Sequence, residues 1–267
     1  MAISEPRLPS VLPIANTLLR SGLFHVPVVR GVMDALYDTY KRKESLPLFP
    51  TDTQLNTYDV VIDVGAGLGF FTRWIHDHTP PTTKILSFEP DALNFQILRR
   101  RISTRNHLSR IAIYEKALSD KSGSVSFSRN LSHFGDHTVD RSGAVASRVG
   151  REAVMVQAVT LSEIVQALPA ETKSILIKLD VQGHEPFVLQ GLTSHALGDR
   201  RCDVLTEFSP YHLHAQGIDP QEFVTLLAQK SDHCRFRDSL KNFVNLNDLA
   251  VDAVTYTDIW CENFKAS

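Results

Sequence analysis

From position 58 onward, short apolar runs rich in β-branched residues alternate with longer stretches of helical period. That alternation is the pattern of a parallel sheet with helices on both faces. The runs predict strands at 60–64, 84–88, 111–116, 174–179 and 203–207, with helices after most of them. The clearest helices are 70–78 and 91–106. In the second, Leu93, Ile97, Leu98 and Ile102 recur at helical spacing and Asp91 stands near the positive N-terminal end. Pro90 suits the helix start, where its missing N–H is not needed.

The pattern breaks between Ser119 and Arg151, where Ser, Gly, Arg and His follow one another without helical period and only 124–128 alternates like a strand. An irregular stretch of this length predicts an inserted flap or lid, over about 119–160. A strand at 153–159 and a helix at 161–167 lead back to the sheet; a helix at 220–229 and closing strands within 251–260 complete it. With no repeat or linker in view, the expected organisation is an N-terminal helical extension over 1–57 and one α/β domain over 58–267. Residues 8–40 are apolar, but Arg20, His25 and Arg30 interrupt them and Pro13 and Pro27 would break a membrane-spanning helix. One or two amphipathic helices that cap the domain or cover the substrate are expected, with docking on a membrane surface as the alternative.

Composition narrows the partners. The 267 residues hold 28 Lys and Arg against 30 Asp and Glu, so no polyanion such as nucleic acid is expected, and a small or neutral substrate fits better. Cys202, Cys234 and Cys261 are odd in number and form no Cys-x-x-Cys pair, which argues against disulfides and thiolate zinc. With no export signal in view, a cytoplasmic location is expected.

Two constellations carry chemistry. The run Val60-Val61-Ile62 enters Asp63-Val64-Gly65-Ala66-Gly67-Leu68-Gly69 ahead of a helix. Glycines there allow a tight turn and close backbone approach to a ligand, and the helix start offers unpaired N–H groups. Glu89 ends the next strand twenty positions after Gly69, where a carboxylate can bridge two ribose hydroxyls. A dinucleotide site is the competing reading. It is disfavoured because the third glycine comes one residue early, Phe70 occupies a position that should be small, and Asp63 would repel pyrophosphate but could face a cationic methionyl group directly or through water. The second constellation, Lys178-Leu179-Asp180-Val181-Gln182-Gly183-His184-Glu185, follows the strand Ile175-Leu176-Ile177. Ligands in open α/β sheets bind outside the carboxyl ends of strands. An ion pair between Lys178 and Asp180 on one strand face is the plainer alternative.

Taken together these segments resemble the FkbM family of methyltransferases over roughly 60–227. The resemblance is carried by Val61 to Gly69, Phe88-Glu89-Pro90, Ala117-Leu118-Ser119-Asp120, Ile177 to Glu185, Val188-Leu189-Gln190-Gly191 and Glu207-Phe208-Ser209-Pro210. Gly67 stands where the family often has Asn. The resemblance implies a class I methyltransferase fold (Rossmann-like, doubly wound, mostly parallel), S-adenosyl-L-methionine as cofactor and usually a hydroxyl acceptor on a sugar, polyketide or other metabolite. By position it implies that Asp63, Gly65 and Gly67 contact the methionyl portion, Glu89 the ribose, and the segment with Ala117, Ser119 and Asp120 the adenine, with Ala66 and Pro90 also among the cofactor contacts.

Methyl transfer to a hydroxyl needs in-line positioning and a base. His184 and Asp180 are the candidates, because both follow the fourth strand of the predicted parallel sheet; Asp180 could instead orient the histidine, bind acceptor hydroxyls or pair with Lys178. His184 facing solvent at the next helix start is the plain alternative. An N-methyltransferase or a noncatalytic S-adenosylmethionine-binding module are the other readings. Asp180, Glu185 and Glu207 could make an oxygen-rich Mg²⁺ site, but local salt bridges are expected and no metal is assigned. His133 with His137, and His212 with His214, are read as solvated loop histidines, His212 being kept as a substrate-side candidate. Arg99, Arg100 and Arg101 are read as a solvated helix face.

Overall fold

The computed structural model describes residues 27–44, 52–103, 108–237, 243–251 and 254–266. Among them, β1 (Val60–Val64), β2 (Lys84–Phe88), β3 (Ile111–Tyr114), β8 (Ser174–Leu179), β9 (Arg201–Phe208), β10 (His233–Arg237), β11 (Phe243–Asn245) and β12 (Thr257–Glu262) form one sheet. Its order is β11-β10-β12-β9-β8-β1-β2-β3. The strands from β3 to β9 are parallel, whereas β12 runs antiparallel to both β9 and β10. A smaller sheet, in the order β4-β7-β5-β6, is built from β4 (Ala117–Leu118), β5 (Gly123–Asn130), β6 (Thr138–Val139) and β7 (Arg151–Val159).

The central strands are apolar throughout because both of their faces are covered. Val60, Ile62, Val64, Ile175, Ile177 and Leu179 point into one core with Leu161, Val188 and Phe208, while Val61, Ile85 and Leu176 point into the other with Phe70, Phe71 and Ile75. The helices over these faces include α3 (Phe70–His78), α4 (Ala92–Ser103), α5 (Leu161–Gln166), α6 (Glu185–Gln190), α8 (Pro210–Ala215) and α9 (Pro220–Lys230); α1 (Pro27–Glu44), α2 (Asp52–Leu55) and α7 (Ser194–Leu197) complete the described set. From β1 the chain builds outward through β2 and β3, then returns to the other side of β1 with β8 and β9. The strand order reverses between β1 and β8, and this switch point opens a crevice at their carboxyl ends.

Several expectations need adjusting. Asp91 caps α4 by accepting a hydrogen bond from the Asn94 N–H at 2.9 Å, so Pro90 precedes the cap instead of entering the helix; the expected end at 104–106 lies outside the described residues. The insertion is largely ordered, since β5 and β7 pair antiparallel along their whole length from Gly123 to Asn130. Among the described residues of the expected closing region β12 alone forms, and β10 and β11 were not anticipated.

The N-terminal segment contains α1; residues 1–26 lie outside the described set. No described helix is long and apolar enough to cross a membrane. Asp34 makes contacts of 2.7 and 2.9 Å to Arg100 Nη2 and one of 3.3 Å to Arg101, while Asp38 meets Arg73 at 2.9 Å and also Arg101. Arg99 is exposed, but Arg101 is buried, so the basic run is a dock for α1 and not a solvated face. The helix turns this charged stripe inward and leaves Val32 and Leu36 exposed. Arg101→Met is expected to cost about 1–2 kcal/mol of stability, the partial exposure of Asp34 and Asp38 keeping it below the full penalty for breaking a buried pair. Hydrogen exchange should show faster loss of protection in α1 than in β1; uniform protection would contradict this docking role.

Candidate cofactor and acceptor site

The turn after β1 is shaped by two backbone approaches. The N–H groups of Gly65 and Ala66 both donate to Phe88 O, at 3.0 and 2.9 Å. Gly65 has φ +76°, and a Cβ there would stand 1.9 Å from the backbone oxygen of Asp180. The end of β1 is thus pressed against the end of β8, and only glycine fits. A Cβ on Gly69 would come 2.6 Å from Leu98 Cδ1, so that glycine serves helix packing. Gly67 differs: the nearest atom to its missing Cβ is the Tyr37 hydroxyl at 3.9 Å, which leaves open space in front of the backbone.

Glu89 closes this turn from the end of β2. Its Oε2 accepts from Gly67 N–H at 2.8 Å and its Oε1 from Asp91 N–H at 2.9 Å. Burial outweighs these donors and pushes its carboxyl up to about 8.

At the end of β8, Lys178 Nζ lies 3.3 Å from Asp63 Oδ1 and 3.5 Å from Asp180 Oδ2. The expected ion pair is therefore present, with Asp63 as its third member. Burial works against the charge on Asp180, but Lys178 and then Lys41 outweigh it and hold its carboxyl below the usual range. Gln182 Nε2 donates to Asp180 Oδ1 at 2.8 Å and to Glu207 Oε2 at 2.9 Å, while Glu185 Oε1 accepts from Val181 N–H at 2.9 Å. Burial pushes Glu185 up to about 7 and Glu207 well above the normal carboxyl range. Among the described residues no group of His, Cys, Asp and Glu is arranged to hold a metal ion.

Between these walls lies a cavity of about 320 Å³, within the range of small-molecule sites. Gly65, Ala66, Gly67, Glu89, Pro90 and Ala117 reach it, as do Lys178, Asp180 and His184. Three expected contact residues do not. Asp63 is fully buried beneath the turn, its Oδ2 accepting from Thr72 Oγ1 at 2.7 Å. Ser119 Oγ faces His184 Nε2 at 3.0 Å, and Asp120 pairs with Arg141 at 2.5 Å. Leu118 and Phe88 take their place on the wall.

His184 also departs from its expected setting. It is the N-cap residue of α6 and fully buried, so it does not face solvent, and its contact with Ser119 puts it beneath the 117–120 segment. Burial, with Arg141 adding to it, pushes its imidazole down to about 3, and its Nε2 is taken up by the Ser119 hydroxyl and not aimed at an acceptor.

Histidines read as solvated reach the site: His133 and His137 of the flap and His212 of α8 line the cavity beside Asp136, whereas His214 is exposed. His212 Nε2 lies 3.4 Å from Asp136 Oδ1, and Arg151 pairs with the same carboxylate. Burial pushes His133 and His137 down to about 4. Three further wall residues, Tyr37, Tyr40 and Lys41, come from α1 and were not singled out in the sequence; the stripe Asp34, Tyr37, Asp38 and Lys41, at i, i+3, i+4 and i+7, is the signal that marks that face.

A doubly wound sheet with a glycine turn and a partnered acidic residue at its switch point defines a protein of class I methyltransferase architecture. A model of the methyltransferase FkbM domain matches residues 63–237, and the chain belongs to that family. A curated relative, Methyltransferase 1 of Beauveria bassiana (strain ARSEF 2860), is 26% identical over 157 residues, covering 54% of this chain; the chain spans about 60% of that relative's length. Among solved structures, the methyltransferase FkbM of Methylobacillus flagellatus KT is 16% identical with a TM-score of 0.42, over 84% of this chain and 47% of that one. The O-methyltransferase TomG of Streptomyces achromogenes, solved with S-adenosylmethionine and described as involved in tomaymycin synthesis, is 11% identical with a TM-score of 0.44, over 100% of this chain and 93% of that one. At that level of likeness these structures add nothing to the strand order already described.

Proposed function

We propose that this protein is an S-adenosyl-L-methionine-dependent O-methyltransferase that acts on a hydroxyl of a carbohydrate or secondary metabolite. The observation that carries the reading is the single cavity running from the Gly67 and Glu89 pair at the ends of β1 and β2 to Asp180 at the end of β8. Its residues fit the cofactor: Gly67 leaves a cradle that a side chain would enter, Glu89 offers a buried carboxylate to ribose hydroxyls, and Phe88, Ala117 and Leu118 give an apolar slot for adenine. Pro90 borders the ribose side. When bound, S-adenosylmethionine supplies an electrophilic methyl group on a sulfonium.

The chain's own residues then position and deprotonate the acceptor. Asp180, kept ionised by Lys178, is the base that accepts the hydroxyl proton, and Lys178 fixes its direction while balancing Asp63 beneath. Glu207, held towards its neutral form by burial, can donate a hydrogen bond to a second acceptor oxygen. His184 supports the adenine-side segment through Ser119 and takes no part in proton transfer.

Two expectations follow from these groups. Ribose hydroxyls favour the ionised form of Glu89, so donor binding should release a proton below pH of about 8, and affinity should rise with pH up to that value. Calorimetry in buffers of different ionisation enthalpy should therefore give different apparent enthalpies; identical values would remove Glu89 from the ribose site. Turnover should persist in excess chelator, since Asp180, Glu185 and Glu207 are engaged with Gln182 and Val181. Loss of activity restored by Mg²⁺ would overturn that point. The function itself is tested by release of S-adenosylhomocysteine across a panel of sugar and polyketide alcohols. Turnover on amines alone would contradict the O-methyl assignment.

A further inference from the structure

We propose that His137 of the flap recognises the adenine of the donor, its Nε2–H donating a hydrogen bond to a ring nitrogen of the base. The inference rests on S-adenosylmethionine being the cofactor. It gives the inserted segment a part in the donor site, opposite the apolar slot of Phe88, Ala117 and Leu118.

His137 has a fixed tautomer. The backbone N–H of Asn130 donates to its Nδ1 at 2.9 Å, so that nitrogen carries the lone pair and the ring proton sits on Nε2. Burial pushes the imidazole down to about 4, which keeps the ring neutral at physiological pH and this bond intact. Among the described residues Nε2 has no hydrogen-bond partner, and it is not sealed off from the cavity that the residue lines. A neutral N–H donor is thus open to ligand space.

The ring sits at the nucleoside end of that cavity. It meets Phe127 edge-on at 5.9 Å, and Phe127 lines the cavity with Ala117 and Leu118. Of the charged groups around His137, Asp91 acts most strongly, and the Asp91 N–H donates to Glu89 Oε1 at 2.9 Å. The imidazole therefore stands beside both the slot for the base and the carboxylate for the ribose. The flap is tied down at this place. Asn94 Nδ2 of α4 donates to Phe134 O at 2.9 Å, Arg129 Nε to Asp91 Oδ2 at 2.6 Å and Thr138 Oγ1 to Val181 O at 2.9 Å. A donor ordered before the ligand arrives lowers the entropic cost of binding.

The slot itself is short of donors. Adenine presents ring nitrogens that accept hydrogen bonds, and burying one without a partner costs free energy. Ser119 and Asp120, expected beside the base, turn instead to His184 and Arg141, and the side chains of Phe88, Ala117 and Leu118 carry no donor. His137 brings one. The ribose hydroxyls have Glu89 as their acceptor, so the base is the part of the nucleoside that this N–H completes.

The test is calorimetry on the full chain with S-adenosylhomocysteine and its 1-deaza, 3-deaza and 7-deaza analogues, in each of which one ring nitrogen becomes C–H. One analogue should bind wild type about tenfold more weakly than the parent, and the other two within about threefold of it. Two substitutions separate contact with the ligand from support of the flap. His137→Asn keeps an acceptor near the Nδ1 position for the Asn130 N–H but removes the outer donor. It should weaken S-adenosylhomocysteine about tenfold and erase the difference between the analogues. His137→Gln keeps a donor near the Nε2 position and gives up the Asn130 contact, so it should retain that difference. Equal binding of the three analogues by wild type would overturn the inference and leave the cofactor reading intact. So would a difference that survives in His137→Asn or disappears in His137→Gln. A wild-type protein that binds none of these ligands would overturn both.

Discussion

Gly65→Ala is expected to lower the melting temperature by about 10 °C and to abolish measurable donor binding. A Cβ at this position would sit 1.9 Å from Asp180 O, and the residue holds φ +76°. The conflict is with backbone, so no side-chain rotation relieves it. A left-handed residue costs about 1–2 kcal/mol and the forced displacement about 1–3 kcal/mol more. The displacement also parts the ends of β1 and β8, the two strands whose junction forms the crevice. Gly67→Ala provides the contrast: at φ +54° it carries the left-handed cost as well, but its Cβ meets nothing closer than 3.9 Å, so the backbone displacement is absent. That variant should keep a melting temperature within a few degrees of wild type and still lose most of its donor affinity, since the added carbon fills ligand space. Thermal unfolding with calorimetric binding separates the two. Equal destabilisation by both substitutions would contradict the distinction between a packing glycine and a ligand-facing one.

Asp180→Asn is expected to reduce kcat by roughly 100- to 1000-fold while S-adenosylhomocysteine affinity changes by no more than a few-fold. The amide keeps the shape of the carboxylate but cannot accept the acceptor's proton. His184→Gln should behave in the opposite way. His184 contacts Ser119 and packs against Phe187 at 5.0 Å, so its replacement should raise KM for the donor and leave kcat at saturation within a few-fold. Steady-state kinetics with the donor varied distinguish these roles. A His184 variant that binds donor normally and fails to turn over would return the base to the histidine and remove it from Asp180.

The strands around the switch point were legible because they are buried on two sides. Val60-Val61-Ile62, Ile85-Leu86 and Ile175-Leu176-Ile177 leave no polar position to obscure the run, and β1, β2 and β8 begin and end where the pattern put them. The strands at the antiparallel end of the sheet are harder: β10 and β11 carry His233, Arg235, Arg237 and Asn245 between their apolar residues, and an alternation so short reads as loop. The helix α1 was expected as an amphipathic cap on the domain or cover over the substrate, without a docking face being assigned. Its acidic residues find Arg73, Arg100 and Arg101, a match made between segments far apart in sequence that no local period reveals.

The same limit applies to the site. The Gly65 to Gly69 turn, Glu89 and Asp180 each stand at the end of an apolar strand, so position alone marks them. His133, Asp136 and His212 reach the cavity only because the flap folds back over it and α8 approaches from beyond β9. Asp63, Ser119 and Asp120 were selected by segment, and packing then assigned them to Thr72, His184 and Arg141 instead of to the cavity wall.

The central claim is that the turn after β1 and Glu89 hold S-adenosylmethionine and not a dinucleotide. Calorimetric titration of the protein with S-adenosylmethionine and, separately, with NAD tests it most directly. Saturable one-to-one binding of S-adenosylmethionine with no heat from NAD is the expected result. Tight binding of NAD with no response to S-adenosylmethionine would contradict the account.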